Sequence, residues 1–98
     1  MSPLTIKQKR KLKSLAHHLK PVVYIGRNGI TDTVIEAADK ALSAHELIKV
    51  KFIDFKDEKK SIIRNIAENT DSVFIGIIGN IAILFRQNSD VAKRRIVL

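Results

Sequence analysis

Cysteine and tryptophan are absent from this 98-residue chain, tyrosine occurs once, and aromatic residues make up only 5%. With no thiol there is no disulfide, no thiolate zinc site and no cysteine nucleophile. That fits a reducing cytoplasm. Long apolar runs are missing too. The longest, Val73 to Phe85, is broken by Gly76, Gly79 and Asn80, and spans 13 residues against the roughly 20 that a bilayer-spanning helix requires. Residues 1–20 are basic and hold no uninterrupted apolar stretch of seven, so no secretory signal is expected. These absences lead to the expectation of a soluble, cytoplasmic protein with no membrane association. Hydrophobic residues at 45% give one domain a core without metal or disulfide staples.

The most informative absence is of negative charge. No Asp or Glu occurs between Met1 and Thr31, where Lys7, Lys9, Arg10, Lys11, Lys13, Lys20 and Arg27 lie. All ten acids fall between Asp32 and Asp90, among eight bases, and the chain closes on Lys93-Arg94-Arg95. The formal charge of +8 is therefore concentrated in the N-terminal third and the extreme C-terminus. Such a field favours a polyanionic partner.

Periodicity supplies the elements. Thr5-Ile6-Lys7-Gln8 has capping-box spacing, and Leu12, Leu15, Ala16 and Leu19 then recur as a helical stripe that runs toward Pro21. Lys7, Arg10, Lys11 and Ser14 fall on the opposite side of that helix. Val22 to Ile25 reads as a short buried strand. Gly26-Arg27-Asn28-Gly29 is a turn, and Thr31 is an N-cap for a second helix with Val34, Ile35, Ala38, Ala41 and Leu42 inward. Leu47 to Phe52 alternates as a strand, with Lys49 and Lys51 on its wetter face. A third helix from Asp57 turns Ile62, Ile63, Ile66 and Ala67 inward and ends at Asn69-Thr70-Asp71. Val73–Ile78 and Ile81–Arg86 form a hairpin about Gly79-Asn80. The order α-β-α-β-α-β-β predicts a single α/β domain with a mixed four-stranded sheet. Parallel pairs are expected among the first three strands, with right-handed crossovers.

The constellation that carries chemistry is Gly26-Arg27-Asn28-Gly29, between a strand and a helix start. Glycines let the backbone turn tightly and approach another backbone closely. The following helix adds unpaired N–H groups and the positive end of its dipole, which together make a phosphate site. Arg27 adds a fork of donors suited to phosphate oxygens, and Asn28 tolerates left-handed backbone. KH modules use a GxxG loop in this way on nucleic-acid backbone. The basic surface around it is expected to include Lys7, Arg10 and Lys11, with Lys49, Lys51 and Arg86 as further RNA contacts.

Gly-Arg-Asn-Gly-Ile-Thr at 26–31, Ala-Leu at 41–42 and His-Glu-Leu-Ile-Lys-Val-Lys at 45–51 resemble the CRM domain, in particular the stand-alone bacterial YhbY-type proteins. The approach Leu-Lys-Pro-Val-Val-Tyr-Ile-Gly at 19–26 and the ending Leu-Phe-Arg at 84–86 extend the likeness across residues 4–86. The resemblance implies a fold similar to the C-terminal domain of a bacterial translation initiation factor. It also implies RNA contacts through the 26–29 loop and association with precursors of the large ribosomal subunit. Related plant domains act in organelle intron splicing. The tail after Arg86 lies outside the resemblance.

Other chemistries find little support. No nucleophile is paired with a base and no Gly-rich loop leads into Lys-Ser or Lys-Thr, so no catalysis, cofactor, metal site or small-molecule substrate is expected. His17 and His18 share no helix face and make poor co-ligands. Asp57, Glu58, Lys59 and Lys60 read as solvated ion pairs. Tyr24, Phe52, Phe55, Phe74 and Phe85 sit in or beside strands and read as core, which predicts backbone and shape recognition with little base readout. The alternative is a protein-interaction module docking on a ribosomal or acidic partner.

Overall fold

Thr5 starts the first helix by satisfying two orphan backbone donors at once. Its hydroxyl accepts from the Gln8 amide at 3.0 Å, and the Gln8 side chain accepts from the Thr5 amide at 2.9 Å. Helix α1 (Ile6–Ala16) follows. The computed structural model describes residues 4–98 and continues with β1 (Val23–Ile25), α2 (Asp32–His45), β2 (Leu47–Phe52), a 3₁₀ turn at Lys56–Glu58, α3 (Lys59–Thr70), β3 (Val73–Ile78), β4 (Ile81–Phe85) and a second 3₁₀ turn at Val91–Lys93. The anticipated element order holds. One boundary moves substantially: α1 stops at Ala16 rather than running toward Pro21. Leu15 and Leu19 remain 40% and 39% exposed, so burial rewards no further helical turn. The chain instead bends through a Leu19 amide to Ala16 carbonyl bond.

The sheet runs β1-β2-β4-β3. Strands β1 and β2 are parallel, β2 and β4 antiparallel, and β3 and β4 antiparallel. The expected parallel neighbours therefore exist only for β1 and β2. Strand β3 points the same way as β2 but is separated from it, because the tight Gly79-Asn80 hairpin swings β4 back between them. Gly79 supplies the left-handed φ of +59° that this turn requires.

Each face of the sheet has its own apolar layer. Helices α2 and α3 cover one face, where Ala38, Leu42, Ile63 and Ile66 meet Ile25, Ile48, Val50, Phe52 and Leu84. Helix α1 covers part of the other, where Leu12 and Ala16 meet Leu47, Ile75, Ile83 and Phe85. Each such large apolar side chain withdrawn from water contributes roughly 1.5–3 kcal/mol before the entropy of ordering it is subtracted. A β-bulge between Phe74 and Gly76 turns both Ile75 and Gly76 toward α1. Lys13 lies across Gly76, where a Cβ would come within 2.8 Å of its Cε, so glycine there lets the helix sit close.

The tail is packed. Ile96 joins the α1 layer, and Lys11 donates from its ammonium to the Val97 carbonyl.

Candidate nucleic-acid interface

The loop between β1 and α2 is a hydrogen-bonded turn. The Gly29 amide donates to the Gly26 carbonyl at 3.0 Å, which pushes Arg27 and Asn28 out to solvent. Gly29 has φ +64° and is buried, with the Phe55 ring 3.3 Å from where a Cβ would stand. Phe55 is itself left-handed, at φ 55°, which costs a residue with a side chain about 1–2 kcal/mol. Its ring props the loop from beneath. Gly26 is in a different situation: nothing lies within 4 Å of its missing Cβ. Of the two glycines, only Gly29 is required by the turn itself.

Helix α2 begins directly behind. The Thr31 hydroxyl accepts from the Val34 amide at 3.1 Å, and the Thr31 carbonyl accepts from Ile35 at 3.1 Å. The amides of Asp32 and Thr33, at the first turn of α2, form no loop or side-chain bond among the described residues, and Thr31 and Thr33 line a shallow hollow with Arg27 and Asn28. Donors and a helix dipole thus converge beside Arg27, as an anion site requires. Asp32, in the first turn, sets one opposing charge against them.

The anticipated basic residues divide by what they touch. Lys7, Arg10, Arg27 and Lys51 are exposed and make no ion pair among the described residues, where Arg86–Asp39 is the single one. Lys11 is tied to Val97, and Lys49 donates from Nζ to the Leu19 carbonyl at 2.9 Å. Each ammonium has further N–H donors to offer. Asp57, Glu58, Lys59 and Lys60 are not mutual ion pairs: Lys59 instead donates to the Gly79 carbonyl at 2.7 Å. Helices α1 and α2 cover opposite faces of the sheet. The sheet row that α1 leaves uncovered begins at Tyr24, two residues before Gly26.

Arg86 is placed differently from the expectation of an RNA contact. Its guanidinium donates to Asp39 Oδ1 at 2.6 Å, the Asp39 carbonyl at 2.9 Å, Ser43 Oγ at 2.8 Å and the Thr70 carbonyl at 2.7 Å. It staples α2 to the end of α3 and has little left to offer a phosphate. Tyr24 departs from the expectation as well. It is not core but 54% exposed on the outer side of β1.

Glu46 has a structural role that its place in the sequence does not announce. It is 1% exposed, at φ 63° just past the end of α2. Its carboxylate accepts from the amides of Asn88 and Arg95, both at 2.6 Å, and of Ile96 at 3.1 Å. Burial pushes its pKa up, but those three amides and the nearby Arg94 outweigh burial and hold the carboxyl below its ordinary range. One signal was available: an acid at a helix C-terminus opposes the helix dipole and needs compensating donors.

Comparison with known proteins agrees with this architecture. The profile of the CRS1 / YhbY (CRM) domain matches residues 4–86. A Haemophilus influenzae protein named as an RNA-binding protein is 44% identical over 91 residues, covering 92% of each chain. A Bacillus subtilis protein also named for RNA binding is 35% identical over 88 residues, covering 89% of this chain and 92% of the relative. The solution structure of a hypothetical Staphylococcus aureus protein, described as an RNA-binding candidate, matches with a TM-score of 0.79 and 35% identity, covering 97% of this chain and 100% of that one. On sequence and fold alike, the chain belongs to the CRS1/YhbY (CRM) domain family.

Proposed function

We propose that this chain is a non-enzymatic, cytoplasmic RNA-binding protein that grips the backbone of structured RNA and serves the assembly of the large ribosomal subunit. The observation that carries the reading is the hydrogen-bonded Gly26–Gly29 turn, which leaves Arg27 exposed beside a hollow at the start of α2; on this reading Arg27 and the first amides of α2 hold one phosphate. The acid-free α1, with Lys7, Arg10 and Lys11 exposed, supplies the accompanying field. The names of the relatives support RNA as the polyanion. The ribosomal assignment rests on the family resemblance.

Sedimentation of lysate through a gradient, with and without ribonuclease, tests the proposal. Wild type should co-migrate with large-subunit precursors in a ribonuclease-sensitive manner. A Gly26→Asp, Arg27→Ala double variant should stay near the top. Substituting Gly26 rather than Gly29 keeps the fold intact, because its Cβ position is open. Free wild-type protein at the top of the gradient would remove the ribosomal assignment.

One observation favours a second reading, in which a ribosomal or acidic protein docks. Leu15, Leu19 and Val22 line an apolar hollow with Ile96, and Lys20 and Arg95 stand at its rim. On that reading co-migration survives ribonuclease.

A further inference from the structure

The strand register defines rows across the sheet. Leu47 lies beside Phe85, which lies beside Val73; Lys49 lies beside Ile83, then Gly76; Tyr24 lies beside Lys51, then Ile81, then Ile78. Helix α1 covers the first two rows, through Leu12 and Ala16 on the Leu47 row and through Lys13 over Gly76. The third row is left open. Tyr24 is 54% exposed and Ile78 62%, and Lys51 is exposed between them. A small cleft lined by Lys13, His17, Lys49 and Ile83 adjoins the Ile81-Ile78 end of this row. None of the four strands, nor α1, contains an Asp or Glu.

Tyr24 stands two residues before Gly26 and is the middle residue of an edge strand whose neighbours Val23 and Ile25 are buried. Its backbone is therefore fixed while its ring is outside. A long bond of 3.3 Å from its hydroxyl to the Pro21 carbonyl holds the ring back along the chain. The ring has no aromatic partner among the described residues. A positioned aromatic ring, an apolar floor and an acid-free basic rim, next to a phosphate-seating loop, match what unpaired nucleotides require: a surface for stacking and cations for the adjoining backbone.

We propose that the open row Tyr24-Lys51-Ile81-Ile78 receives one or two unpaired nucleotides of the bound RNA, with a base stacked on Tyr24. The inference rests on the RNA-binding reading above and adds its single-stranded component. Stacking tolerates any base, so it supplies affinity for unpaired segments without reading sequence. A second copy of this chain or a protein segment would also cover an apolar row, but the lysines along it, Lys13, Lys49 and Lys51, favour a polyanion.

The chain carries its own reporter, since Tyr24 is the only tyrosine and there is no tryptophan. Wild type, Tyr24→Phe, Tyr24→Ala and Arg27→Ala are titrated with an RNA hairpin bearing an unpaired loop and with a blunt duplex of equal length. Folding of each variant is checked by thermal melting. Tyrosine emission of the wild type should be quenched by the hairpin and not by the duplex. Tyr24→Ala should weaken hairpin binding roughly ten- to a hundredfold with the salt slope unchanged, and Tyr24→Phe should restore it. Arg27→Ala should weaken both RNAs and flatten the slope. If Tyr24→Ala binds the hairpin like wild type while Arg27→Ala does not, the loop grips RNA and the stacking row is overturned. Emission changes that follow protein concentration without RNA, alongside dimer in sedimentation, would reassign the row to self-association. Failure of the wild type to bind either RNA would instead overturn the underlying RNA-binding reading.

Discussion

Removing the Glu46 carboxylate should release the C-terminal tail while leaving the sheet folded. The Glu46 side chain is the bonding partner of the amides of Asn88, Arg95 and Ile96, at 2.6, 2.6 and 3.1 Å. A hydrogen bond to a charged group contributes about 1.5–3 kcal/mol. Loss of the two short ones therefore costs the tail at least about 3 kcal/mol of docking free energy. Every 1.4 kcal/mol is tenfold, so Glu46→Ala should speed hydrogen exchange at these three amides roughly a hundredfold. Trypsin should cut faster at Lys93-Arg94-Arg95. Glu46→Gln keeps one oxygen acceptor but turns an NH₂ donor toward amide donors, and should fall between the two. The same release should be reached by acid. A carboxyl whose folded-state pKa is lowered contributes its stability in full above the ordinary carboxyl value of 4.5 and loses it as pH falls through the lower folded value. The tail should stay docked at neutral pH and loosen only in acid, below that ordinary value. Unchanged exchange at Asn88, Arg95 and Ile96 in Glu46→Ala at neutral pH would refute the latch.

Three further outcomes follow from the same geometry. Gly29→Ala places a Cβ at φ +64° against Phe55 and should lower stability by about 1–2 kcal/mol, whereas Gly26→Ala should be close to neutral; chemical denaturation of the pair measures the difference. Arg86→Ala removes the four bonds that tie α2 to the end of α3 and should cost about 1–3 kcal/mol in denaturation, the exposed Asp39 carboxylate adding little. Arg86→Lys should not restore it, because an ammonium lacks the planar fork, and neither variant should change the salt slope of RNA binding. Asp32→Asn removes the one acid from the first turn of α2; filter binding at low salt should show RNA affinity raised about two- to fivefold, at a cost to helix stability of about 0.3–1 kcal/mol.

Local patterns were legible where one residue pair or one period decides the outcome. Thr5 and Gln8 announce α1 by their spacing, Thr31 caps α2, and the alternation from Leu47 to Phe52 marks β2 to the residue. What stayed hidden depends on which element covers which. Val22 to Ile25 reads as a buried run because β-branched composition does not distinguish one covered face from two, and the outer face of β1 is open because α1 lies over the other three strands. The end of α1 at Ala16 is not legible because Leu15 and Leu19 keep the helical period without being buried. Strand order was unreadable because a hairpin places β4 on either side of β3 with the same local sequence. Lys51 and Arg86 both look like surface cations in sequence. Only the meeting of Asp39, Ser43 and Thr70 shows that Arg86 is a structural staple. The glycine loop is legible as a turn before a helix, but its two glycines look equivalent in sequence, and only the Phe55 ring separates them.

The most direct test of the central claim is the salt dependence of binding to a structured RNA, measured for wild type and for a folded Arg27→Ala variant. With Lys7, Arg10, Lys11, Arg27 and Lys51 engaging about five phosphates, log K should fall against log salt with a slope of about −4. Loss of Arg27 should weaken binding and bring the slope toward about −3. A variant with the wild-type affinity and slope would contradict the account, because the loop would then hold no phosphate.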